Sequence, residues 1–220
     1  MSTPQDIVVF GAGGYARVAA DAAEASGGWR VLAFVDRDPA PGASLLGRPV
    51  WPESSVLTGG QFSGACLVAI GDNFQRQRLS ERIGTERPDL TYATAIHPRA
   101  TVSRHAQIGA GSVLLAGVVV NALASLGKHV TIYSNAVVEH DCILEDFVTL
   151  APGAALGGAV RIGARTFVGL GTTICHGRTI GADCVTGAHA TILRDLPACV
   201  TAVGTPARIV RNREPGDSYL

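Results

Sequence analysis

From Val102 onward, every sixth residue of the chain is apolar. The series runs Val102, Ile108, Leu114, Val120, Leu126, Ile132, Val138, Leu144, Leu150, Leu156, Ile162, Val168, Ile174, Ile180, Thr186 and Ile192, and only Thr186 interrupts it. Glycine often follows these anchors, as Gly109, Gly127, Gly157, Gly163, Gly169, Gly181 and Gly187. The fourth residue after an anchor is usually small, as at Ala106, Ser112, Ala124, Ala136, Cys142, Ala154 and Thr166. An α-helix repeats every 3.6 residues and a strand every 2, so a strict period of six marks a repeat architecture. Six residues make a short strand and a corner, and three such units close a triangular coil. Each inward residue then stacks on its equivalent 18 positions on, about 4.8 Å away.

The preceding 95 residues follow another pattern. Ile7–Phe10 is an apolar run ending in Gly11-Ala12-Gly13-Gly14, followed by an alanine-rich helix over Tyr15–Ser26. Val31–Val35, closed by Asp36, predicts a second strand, and Pro39–Pro52 a loop. Cys66–Ile70, closed by Gly71-Asp72, predicts a third strand, Phe74–Ile83 a polar helix, and Leu90–Ile96 a further strand. Strand, glycine turn, helix and strand in this order predict a small parallel α/β sheet. The expected division is therefore 1–95, a Rossmann-like domain; 96–203, a β-helix; and 204–220, a tail.

Composition narrows the function. Apolar residues make up 47% of the 220, charged residues 16%, and 18 basic side chains balance 18 acidic ones. Intrinsic disorder is excluded, and no basic run supports binding to nucleic acid or an anionic membrane. The longest apolar run, Val113–Leu126, contains Gly117 and Asn121 and is too short to span a bilayer; the coil makes it core. No cationic stretch precedes the first apolar run, so a secretory signal is not expected. The five cysteines (Cys66, Cys142, Cys175, Cys184, Cys199) are odd in number and form no C-x-x-C pair. They read as reduced thiols of a cytoplasmic protein with no metal site.

The hexapeptide pattern resembles the left-handed β-helix of acyltransferases, and Gly204-Thr205-Pro206-Ala207-Arg208 is similar to the G-x-P-A-[KR] ending of that superfamily. The glycine-turn domain together with Val138-Glu139-His140-Asp141-Cys142 resembles the nucleotide-sugar N-acetyltransferases. That group includes enzymes acting on UDP-4-amino sugars of the bacillosamine pathway and on GDP-perosamine, in bacterial surface polysaccharide and glycoprotein synthesis. The resemblance implies a homotrimer with active sites between neighbouring β-helices. It further implies a nucleotide-linked 4-amino-4,6-dideoxy sugar in the amino-terminal domain and acetyl-CoA along the coils.

The residues allow a matching chemistry. A sugar amine is mostly ammonium at neutral pH and must lose a proton to attack a thioester, a task suited to histidine. His140 and His176 each sit two residues after an anchor and 36 apart, so their backbones share a corner at about 9.6 Å. Glu139 and Asp141 flank His140, and a carboxylate on the imidazole would fix its tautomer. The family's general base matches His140, and its acidic partner matches Asp141. His176 reads as a corner residue, at most lining the CoA groove.

The family's oxyanion-binding amide matches Gly158, one coil beyond the base. Where some relatives carry a second histidine, this chain has Thr149. For the nucleotide sugar, the resemblance assigns Gly13 and Gly14 to the phosphates and Asp36 and Asp38 to the base or ribose. Gly71, Asp72 and Asn73 form a second edge, or merely a helix N-cap. Asp36 at the end of the second predicted strand also satisfies a dinucleotide fingerprint, but 95 residues are half of such a fold. For acetyl-CoA, Gly169, Gly171 and Gly187 offer backbone along the coil, and Arg208 could meet adenine or phosphate.

Two other readings stand beside this one. One is O-acetylation of a sugar or sialic-acid-type acceptor, and the other a non-catalytic trimeric β-helix binding protein. A zinc carbonic anhydrase on the same fold is disfavoured, because no two histidines lie closer than His97 and His105.

Overall fold

The computed structural model of the protein describes residues 3–219. The first two residues of the amino-terminal stretch and the last of the tail lie outside the described residues. The first part runs β1 (Gln5–Phe10), α1 (Gly14–Ala25), β2 (Trp29–Asp36), β3 (Ser44–Leu45), β4 (Arg48–Pro52), α2 (Glu53–Leu57), β5 (Ala65–Val68), α3 (Asn73–Glu86) and β6 (Thr91–Tyr92). These strands form one sheet in the order β3-β4-β2-β1-β5-β6. β1 is central, parallel to both β2 and β5, and Ile7–Phe10 and all of β5 are buried, as strands covered on both faces require. α1 packs on one face; its buried residues, Ala16, Ala19, Ala20, Ala22 and Ala23, are all small and let it approach closely. α2 and α3 cover the other face.

Two expectations need correction here. Pro39–Pro52 is not all loop: β3 and β4 pair as an antiparallel hairpin, turned by Leu46 and Gly47, both at positive φ. Leucine is a poor residue for that conformation, so the sequence carried no turn signal. Leu90–Ile96 is not one strand either. Ala93 still donates its N–H to Cys66 O of the first sheet, while Ala95 donates to Ser112 O of the next; the chain changes sheets between them.

From Ala95 the chain winds through two-residue strands, from β7 (Ala95–Ile96) to β23 (Thr191–Ile192). Those up to β20 (Thr173–Ile174) pair in parallel with the strand 18 residues on, as in Val113↔Thr131, Val119↔Val137 and Ser125↔Ile143. The result is three sheets around one apolar core. The anchors are the inward residues, and the coil starts one unit earlier than the series, at Ile96. Thr186 is buried, but its hydroxyl accepts the Gly169 N–H at 2.9 Å and bonds the Thr172 hydroxyl at 3.1 Å. The break in the series is thus satisfied internally, as buried polar groups must be.

Corners are stitched in a recurring way. The side chain four after an anchor turns inward and donates to a carbonyl of a later corner: Ser112 to Gly127 (3.1 Å), Thr166 to Gly181 (2.7 Å), Thr172 to Gly187 (3.0 Å), Cys142 to Gly157 (3.2 Å) and Cys184 to Pro197 (3.0 Å). After the last coil, β24 (Val200–Val203) continues one sheet in parallel, and β25 (Arg208–Asn212) turns back antiparallel to it.

The two halves are locked together. The Tyr15 hydroxyl of α1 bonds the Thr131 hydroxyl of the coil at 2.7 Å. Arg76 of α3 is 1% exposed and donates to Ile70 O, His129 O, Phe147 O, Asn73 Oδ1 and Thr149 Oγ1. Among the described residues it forms no ion pair; backbone, amide and hydroxyl oxygens satisfy the guanidinium. The tail folds back so that the Tyr219 hydroxyl accepts the Asn73 N–H at 2.8 Å, with its ring against Phe167.

Candidate active site

One corner of the coil carries the chemistry. Steps of 18 along it give Ala122, His140, Gly158, His176 and Arg194. His140 Nδ1 lies 2.7 Å from Asp141 Oδ2, with both side chains about half exposed. Asp141 sits at φ +61°, a left-handed conformation that aspartate tolerates better than most residues, and its N–H donates to Ala122 O. With Nδ1 held by the carboxylate, Nε2 is the proton-accepting nitrogen of the neutral ring.

Gly158 separates the two histidines by one coil on each side. A Cβ there would lie 2.5 Å from His140 Nε2 and 3.1 Å from His176 Nδ1, so both rings fold over a position that must stay bare. Their centroids are 6.3 Å apart, closer than backbone spacing alone suggests. His176, read from sequence as peripheral, is therefore part of the same cluster. Among the described residues the Gly158 N–H meets no acceptor, while Gly158 O accepts from Gly177.

A second feature lies at the carboxyl ends of β1, β2 and β5, beside the switch in strand order where α/β sheets bind ligands. A cleft of about 500 Å³ is lined there by Gly11, Asp36, Arg37, Glu53, Arg78 and Arg82, among others. The glycine this turn cannot do without is Gly11: its φ is +114°, and a Cβ would lie 2.6 Å from Ala69 O. Gly13 and Gly14 are exposed with open space above them, at the start of α1, where no side chain caps the free amides. Asp36 lines the cleft and accepts the Arg37 N–H; Asp38 is exposed beyond it.

The other edge predicted for this cleft is a correction. Asp72 caps α3 by accepting the Gln75 N–H at 2.9 Å. Asn73 is 1% exposed, donates to Arg165 O and Thr166 O, and accepts from Arg76 and Thr149; nothing of it is left for a ligand. Gly71 O accepts from Arg76 and Tyr219. Thr149, buried beside Asn73, joins the same network and lies away from the histidine corner. These residues fasten α3 to the coil.

The glycines expected along the cofactor path are also engaged. Gly169 donates its N–H to Thr186, Gly171 to Pro152 O and Gly187 to Ala202 O. A Cβ at Gly171 would meet the His189 ring, and one at Gly187 would meet Val203. Arg208, by contrast, is exposed and, with Arg194, lines a pocket of about 280 Å³ at the far end of the coil. Arg194 was missed in the sequence, although a step of 54 from His140 points to it.

A third histidine differs. His129 is 3% exposed, stacked on Phe147 at 5.0 Å and edge-on to Tyr92 at 4.5 Å. Its Nδ1 has no partner. Burial, then the nearby Arg76 charge, pushes its pKa down to about 4.

Comparison with known proteins matches both halves. Residues 6–83 fit the model of the PglD N-terminal domain. GDP-perosamine N-acetyltransferase of Escherichia coli O157:H7 is 33% identical over 212 residues, covering 91% of this chain and 94% of that protein. The chain belongs to the nucleotide-sugar N-acetyltransferases.

Two solved members of similar size superpose closely on this nucleotide-sugar N-acetyltransferase. A histidine-to-alanine variant of GDP-perosamine N-acetyltransferase from Caulobacter crescentus, in complex with CoA and GDP-perosamine, has a TM-score of 0.89 at 38% identity, covering 94% of this chain and 98% of its own. The acetyltransferase domain of PglB from Neisseria gonorrhoeae, in complex with acetyl coenzyme A, has a TM-score of 0.85 at 35% identity, covering 94% and 100%. The fold is accordingly an α/β domain followed by a left-handed parallel β-helix. Among the described residues no group of three or more His, Cys, Asp or Glu side chains could hold a metal ion, and no helix is long and apolar enough to cross a membrane.

Proposed function

We propose that this protein transfers the acetyl group of acetyl-CoA to the amino group of a nucleotide-linked 4-amino-4,6-dideoxy sugar. The 2.7 Å contact between His140 and Asp141, beside a bare Gly158, carries the reading. The GDP-perosamine relatives make a GDP-linked sugar the first acceptor to try.

The amine nitrogen attacks the thioester carbonyl carbon, and its proton passes to His140 Nε2 as the C–N bond forms. Asp141 keeps the ring oriented and stabilises the imidazolium. The carbonyl oxygen takes the electron pair, and the unengaged Gly158 N–H donates to it. When the C–S bond breaks, the pair leaves on sulfur; a thiolate is a good leaving group, so no strong acid is needed. The proton held by His140 can then follow it.

The donor path follows the corner. Arg194 lies three coils from His140, about 14 Å, and the Arg194–Arg208 pocket suits the phosphates of CoA. Asp36 and the open amides at Gly13 and Gly14 suit the ribose or base and the phosphates of the sugar nucleotide. Leu123 and Leu193, exposed at 64% and 51%, share the corner of His140, which favours a homotrimer with this corner facing a neighbouring chain. Free cysteines and an acetyl-CoA donor are consistent with a cytoplasmic enzyme.

Free-thiol release from acetyl-CoA is the test, with GDP-, UDP- and dTDP-linked 4-amino sugars, for the native protein and His140→Asn. Turnover of one amino sugar, lost in the variant, is the expected result. Turnover of a hydroxylated acceptor alone would replace the reading with O-acetylation. No turnover of any acceptor would point to a binding protein.

A further inference from the structure

The Gly157–Gly158 peptide carries the N–H assigned to the thioester oxyanion, so what fixes the plane of that peptide matters to the reaction. Among the described residues, the Cys142 thiol at 3.2 Å is the only donor to Gly157 O. In a trans peptide the C=O and N–H point in opposite directions, and the only cis bond among the described residues is Thr205–Pro206. A carbonyl turned inward onto Cys142 therefore turns the Gly158 N–H outward, toward the corner where His140 and His176 meet. This peptide also has glycine on both sides, the only Gly-Gly pair in the coil, so its flanking torsions are the least restrained by side chains.

We propose that Cys142 is a positioning residue, whose thiol sets the direction of the Gly158 N–H. Cys142 is fully buried, and burial raises its pKa, so it remains a protonated donor at neutral pH. Without the thiol, Gly157 O would be an unpaired carbonyl at the coil interior, and buried carbonyls seek partners. The peptide would turn to find one and carry the Gly158 N–H off its line. The inference rests on the proposed reaction for its catalytic meaning, but the orientation of the peptide is measurable without it.

The coil supplies its own control. Cys184 occupies the equivalent place, four after an anchor, is equally buried, and donates to Pro197 O at 3.0 Å, away from the histidine corner. Alanine at this place is compatible with the fold, since Ala106, Ala124, Ala136 and Ala154 occupy it elsewhere. Serine also fits, since Ser112 makes the same bond.

The experiment compares Cys142→Ala, Cys142→Ser and Cys184→Ala by kcat, KM and thermal midpoint. Cys142→Ala should lose roughly tenfold in kcat with KM nearly unchanged, less than full removal of an oxyanion donor costs. Cys142→Ser should recover most of that loss, and Cys184→Ala should match the fall in thermal midpoint with kcat intact. Equal kcat in the two alanine variants would overturn the proposal. If the native protein turns over no acceptor, the proposed reaction fails instead. Crystal structures of the native protein and of Cys142→Ala then decide: a rotated Gly157–Gly158 peptide in the variant supports the positioning role, and an unrotated one overturns it.

Discussion

His129 and His140 lie on two corners of one coil and have opposite fates. His140 stands at a bare corner, half exposed and bonded to a carboxylate. His129 stands where α3 covers the coil, buried between Phe147 and Tyr92, with Nδ1 unpartnered. The repeat makes corners of similar backbone shape. What separates a proton-transfer group from a packed ring is the element that lies over the corner.

Substitutions at four positions probe that contrast. The largest effect is expected at the open corner: His140→Asn should lower kcat by roughly 10² to 10⁴ in the thiol-release assay, while the thermal midpoint barely moves. At the covered corner the effect should appear in stability. Arg76→Met leaves several buried oxygens without their donor and should cost about 3 kcal/mol or more in urea unfolding. Arg76→Lys should restore only part, because an ammonium lacks the planar fork.

The pH dependence of His129 has a definite sign. Its folded pKa of about 4 lies below the ordinary 6.5, so the unfolded chain takes up the proton first as pH falls. Stability is full above pH 6.5 and is lost from there down to pH 4, by about 3 kcal/mol. His129→Phe should remove that part of the acid destabilisation, read as a smaller difference in unfolding free energy between pH 7 and pH 4.5. The smallest effect is expected for Asp141→Asn. The pair is half exposed and screened by solvent, so a fall of roughly tenfold in kcat/KM is expected. An unchanged rate would mean that the ring is oriented by something else.

The coil and its open corner were legible because a period of six survives in the sequence whatever packs outside. Anchors and corner positions follow from counting, whereas the choice of Asp141 over Glu139 as the partner of His140 rests on the resemblance. Contacts between the halves leave no such trace. Asn73 and Asp72 look like any polar loop at a strand end, yet one is a buried junction and the other a helix cap. Arg76 lies in a helix that reads as polar, and nothing local announces that the coil will bury it. Gly11, not Gly13 or Gly14, is sterically required, because the obstructing Ala69 carbonyl lies just past β5, more than fifty residues away.

The reversal at β25 bears on solution behaviour. A pile of identical parallel rungs ends in a row of unsatisfied amides and carbonyls, a template onto which another molecule could add and propagate a filament. Here the sheet formed by β22 (Val185–Thr186) and β24 is closed by a strand of opposite direction, and that strand carries Arg208 and Arg211 on an exposed edge. Growth of that sheet along the coil axis is thereby blocked at that end, which agrees with the side-by-side homotrimer proposed above.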